Sequence, residues 1–95
     1  MKPMRATEAE QPEIFATVKR EMPDIRRAVA KMVKPLRGLS DVSQKQAITE
    51  LTAAWIMAIY PDDLDLAISL SDAMRDQTDI HLQEAWRVRG RQKQH

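Results

Sequence analysis

A chain of 95 residues, 43% hydrophobic, 31% charged and only 4% aromatic, is read as one domain near the lower end of single-core folding, where about 60–65% of the unfolded surface is buried. It has no cysteine, which excludes disulfides, thiolate metal sites and thiol nucleophiles, and its longest apolar run falls far short of the ~20 residues that span a bilayer. The net charge of +1 hides three blocks: residues 19–37 are strongly basic, 41–84 strongly acidic and 85–95 basic again, a segregation that more often pairs internally or with a second copy than with an external partner.

Twelve alanines against two glycines favour helix, and no long period-2 run supports a strand, so the predicted fold class is all-α. Residues 1–10 are polar, without the apolar core of a signal peptide, and are expected to form a mobile arm ahead of a helical domain over 11–88. Pro12 and Glu13 suit a helix start, and Ile14, Phe15, Val18 and Met22 share one face of a predicted helix 12–22. Pro23 is expected to break the chain, with Asp24 capping the next helix. Over 24–36, Ile25, Ala28, Val29, Met32, Val33 and Leu36 form an apolar stripe at helical spacing. Arg26, Arg27, Lys31 and Lys34 lie on the opposite arc, and Pro35 and Gly38 are expected to end the helix.

Ser43 and Gln46 have the spacing of a capping box, predicting a third helix over 44–60. Its first half is amphipathic. Its second half, Ala53 to Tyr60, is apolar throughout, as expected of a helix buried on more than one side. Pro61, Asp62 and Asp63 then punctuate the chain, with Asp62 the expected cap of a fourth helix, 62–88. That helix carries a broad apolar stripe through Leu66, Leu70, Met74 and Ile80, and a narrow one through Leu64, Ile68, Leu82 and Trp86. A disordered basic tail, 89–95, is expected to follow. Two helices with second apolar surfaces, in so small a chain, predict a homodimer that completes the core. Ile56, Met57, Tyr60, Leu64, Ile68, Leu82 and Trp86 are the expected protein interface.

Little in the sequence supports catalysis. Asp72, Asp76 and Asp79 spread over about 10 Å of helix axis and cannot converge on one ion without other ligands. His81, on the broad apolar stripe, reads as a hydrogen-bonded boundary residue. There is no nucleophile elbow, phosphate-binding glycine loop or distinguished acid pair. No enzyme, cofactor, small-molecule substrate or membrane partner is expected.

The composition and patterning predict a cytoplasmic interaction module, a regulator, inhibitor or adaptor that covers another protein's surface with an apolar helix face. A second expectation is nucleic-acid binding, with Arg26, Arg27, Lys31 and Lys34 and the tail residues Arg87, Arg89 and Arg91 contacting phosphates. No aromatic or amide side chains accompany this cluster to stack on or read bases. A helix-turn-helix centred on Gly38 fails, because Pro35 would fall inside its first helix and Gln44 would replace a core residue.

Overall fold

The computed structural model describes residues 11–93. Its elements are three α-helices and one 3-10 segment: α1 (Pro12–Val33), the 3-10 segment Lys34–Gly38, α2 (Asp41–Ile59) and α3 (Leu64–Lys93). The all-α class therefore holds, whereas the expected four helices become three. The arm expected at residues 1–10 lies outside the described residues.

The difference in count arises at Pro23, which sits inside α1 rather than between two helices. Proline cannot donate to the Lys19 carbonyl, a loss of about 3 kcal/mol in a helix interior. Its side chain is exposed, and the flanking residues propagate the helix past it. Asp24, now mid-helix, does not cap. Its carboxylate instead accepts a hydrogen bond from Arg27 one turn later. At the start, the Gln11 carbonyl accepts from the N–H groups of Ile14 and Phe15 at 3.2 and 3.4 Å, with Pro12 in the first turn, where its missing N–H costs least.

Pro35 likewise removes a donor from the ladder, so α1 stops at Val33 rather than residue 36 and tightens into the 3-10 segment. The stop itself is Leu39, extended at φ −102° and ψ 152°. No glycine among the described residues has positive φ, so Gly38 does not act as a left-handed cap.

Ser40, not Ser43, starts α2. Its Oγ accepts the Ser43 N–H at 3.3 Å, its carbonyl accepts from the Gln44 N–H at 2.8 Å, and the Gln44 side chain reaches back to the Leu39 carbonyl at 2.9 Å. The expected box with Gln46 is not made; Gln46 Nε2 instead donates to Glu50 at 3.3 Å. At α3 the cap is Asp63 rather than Asp62, for Asp63 Oδ1 accepts the Leu66 N–H at 3.0 Å. The helix then continues to Lys93, five residues past the expected end, and makes residues 89–93 of the expected tail helical.

Contacts divide the chain into two compact units, one holding α1, the 3-10 segment and nearly all of α2, the other α3. Within the first unit, among the described residues, α1 packs on the 3-10 segment and not on α2. The buried residues among those described are Ile56, which belongs to the first unit, and Ala67, Ser69 and Ala73, which belong to the other. These are mostly small side chains, so most large apolar groups lie outside the buried set.

Candidate interaction surfaces

The apolar second half of α2 is expected to be buried on several sides, and it is open on most of them. Ile56 is 6% exposed and Tyr60 half-buried, while Trp55, Met57 and Ile59 are exposed, as are Leu51 and Ile48, one and two turns before Trp55. Among the expected interface residues of this helix, Met57 is therefore the open one, at 58% exposure. Thr49 and Thr52 add to this character. Their hydroxyls donate to the carbonyls of Lys45 and Ile48 at 2.9 and 2.8 Å, so both polar groups are satisfied within the helix.

On α3 the two ends behave differently. Leu66, Leu70 and Met74 on the broad stripe are half-buried around Ala67 and Ala73, whereas every described side chain from Gln77 to Arg91 is exposed. The narrow stripe is not one patch. Leu64 and Ile68 are neighbours one turn apart, as are Leu82 and Trp86, but 14 residues, about 21 Å of helix, separate Ile68 from Leu82. Arg75 lies between the pairs and is bound to Asp72 at 3.5 Å. Trp86 is 74% exposed and, with Leu82, Gln83 and Arg87, lines an open, mainly apolar depression.

The basic residues fall on two elements. Arg26, Arg27 and Lys31 lie on α1 and Lys34 opens the 3-10 segment, all exposed. The unbroken helix adds Arg20, one heptad before Arg27, to the same row. Near the end of α3, Arg87 hydrogen-bonds Glu84 one turn back. That bond, then the charge of Arg87 and of Arg91, holds the Glu84 carboxyl below its ordinary value. Arg89 and Arg91 ride the last turns of the helix, where cations suit the dipole.

His81 is exposed, and Gln77 Nε2 lies 3.5 Å from its Nε2. Among the described residues no three His, Asp or Glu side chains gather as a metal site, and no helix is long and apolar enough to cross a membrane.

No family model matches the chain, and no similar curated protein or solved structure was found.

A surface that the sequence reading divided in two is the apolar face of α1. Because Pro23 does not break the helix, the stripes on either side of it join into one line. The signal was the residue spacing across Pro23, which continues without a phase shift.

Proposed function

We propose that this chain is a small cytoplasmic protein-interaction module, acting as a regulator, inhibitor or adaptor by covering a surface of another protein. The observation that carries the proposal is the exposed apolar half of α2, where Trp55, Met57 and Ile59 stand open around the single buried Ile56. Trp55 and Ile59, one turn apart, continue the exposed row of Ile48 and Leu51 while Met57 stands on another side of the helix; clustered exposed apolar groups such as that row mark interaction surfaces, whereas isolated ones do not. The depression beside Trp86 supplies a second such surface on α3.

The mechanism is occlusion. Met57 is unbranched and polarizable and adapts to an irregular partner; Trp86 offers a large rigid anchor of the type that dominates interface energetics. Self-association belongs to the same reading, since a homodimer would cover part of this surface.

The test is capture from nuclease-treated lysate with the wild type, Met57→Asp and Trp86→Asp. A discrete protein held by the wild type and lost from a variant supports the proposal, because a buried charge in an apolar contact is costly. A protein held equally by all three overturns it.

A second reading, nucleic-acid binding, is favoured by one observation. The continuous helix carries Arg20, Arg27 and Lys31, and Lys34 opens the 3-10 segment after it, all exposed, a run of cations suited to successive phosphate contacts.

A further inference from the structure

The best-ordered pattern in the chain is the apolar face of α1. Phe15, Met22, Val29 and Leu36 recur every seven residues, and Val18, Ile25 and Met32 follow the first three of them at three-residue spacing. This alternation of three and four is the a/d heptad of a coiled coil, sustained over three heptads, the shortest run that argues for one. All but Leu36 lie on the single helix Pro12–Val33, with Leu36 in the 3-10 segment that follows. Five of the seven, all but Met22 and Leu36, are 37–50% exposed, and α2, in the same unit, does not cover them.

We infer that α1 docks against α1 of a second copy of this chain, parallel and in register. The flanking charges select both the occupant and its direction. In the heptad frame Glu21 occupies g, and Lys19 and Arg26 occupy e. A parallel, in-register pair sets each g residue against the e residue five positions later on the other helix. Glu21 then faces Arg26 of the second copy, and the symmetry makes this contact twice. Lys19 falls opposite Ile14, whose side chain its aliphatic stem can cover. An antiparallel pair sets e against e, which brings Arg26 opposite Lys19 or Arg26 of the other copy.

The same frame accounts for Pro23. It falls at b, on the outer side of the helix, where the missing hydrogen bond faces water and no seam contact is lost. Arg20, Arg27 and Lys34 fall at f, farthest from the seam, so pairing leaves the basic line open.

The inference goes beyond the proposed function, because it places self-association on α1 and not on the exposed face of α2, and it does not depend on the capture of another protein by α2 and α3. Its test uses the absence of native cysteine. In a parallel pair the two Met22 positions face each other across the seam, within the roughly 4.4–6.8 Å Cα separation a disulfide spans. Mild oxidation of the full-length Met22→Cys variant should give a covalent dimer, and Arg20→Cys, on the outer face, should not. Failure of the first variant to link, or equal linking by both, overturns the inference.

The charge pair gives a second readout, by sedimentation. Arg26→Glu places like charges at both contacts and should weaken association by about tenfold, the scale of a few surface pairs. Adding Glu21→Arg should restore it. Positions 21 and 26 are not neighbours on one helix, where only three- and four-residue spacings meet, so a rescue must act between copies. A wild type that stays monomeric at every concentration, or a double variant no better than the single one, overturns the inference.

Discussion

Asp63 accepts the backbone N–H of Leu66 at 3.0 Å, so the residue that starts α3 is the second of two adjacent aspartates. Asp63→Ala should lower stability by about 1 kcal/mol, the usual effect of a lost N-cap. Asp62→Ala should change it by less than about 0.5 kcal/mol, as for an exposed side chain outside such a feature. Urea unfolding of both variants checks this; the opposite ranking would move the cap back by one residue.

Pro23→Ala separates a continuous α1 from two helices meeting at a break. In the continuous helix alanine restores the N–H donor to the Lys19 carbonyl, and stability should rise by about 1–3 kcal/mol, with a gain in far-ultraviolet helical signal. A neutral or destabilising result would indicate a chain that turns at residue 23.

The Glu84–Arg87 pair sets a pH dependence for the far end of α3. The carboxyl titrates below its ordinary value of 4.5 because Arg87 hydrogen-bonds it and adds its positive charge nearby. A lowered folded-state value means that the contribution is fully present above the ordinary value and is lost as pH falls through the lowered one. Carboxyl resonances followed by NMR should show Glu84 titrating upward, toward its ordinary range, in Arg87→Ala. High salt should move it the same way, since the pair is exposed and easily screened.

Gly90 lies within α3, and a Cβ added there would meet nothing within 4 Å. Gly90→Ala should therefore stabilise the last turns by about 0.5–1 kcal/mol. Slower amide exchange around residue 90 is the expected observation, and unchanged exchange would count against a helix that persists to Lys93.

The nucleic-acid reading predicts binding to duplex DNA that falls steeply with salt, losing about 0.9 in slope for each phosphate contact removed. Arg27→Glu combined with Lys31→Glu should abolish it largely irrespective of base sequence. A wild type with no affinity at low salt removes the reading.

The all-helical class was legible from alanine-rich composition and 3.6-residue periodicity, and the apolar character of residues 53–60 was plain. Helix boundaries were harder to read, each for a local reason. Pro23 looked like a break because proline usually ends a helix, yet an exposed position tolerates it when the residues on both sides remain in phase. Ser43 and Asp62 were natural caps by residue type; Ser40 and Asp63, equally suitable by type, make the bonds. Such choices depend on backbone geometry within one turn, which composition does not record. The expected interface residues were identified by apolarity alone, so Ile56, buried, and Met57, open, looked alike. The direction each side chain takes from its helix separates them.

Trp55 lies on α2 and Trp86 on α3, so each compact unit carries one indole, 49% and 74% exposed. Both rings sit on the surfaces where contact with another protein is proposed, which gives the molecule two intrinsic optical probes. An apolar partner closing over either ring should shift its emission to shorter wavelength and shield it from iodide or acrylamide. With Trp55→Phe or Trp86→Phe, the remaining ring reports on its own helix alone, so occupancy of the two units can be titrated separately without attaching a dye.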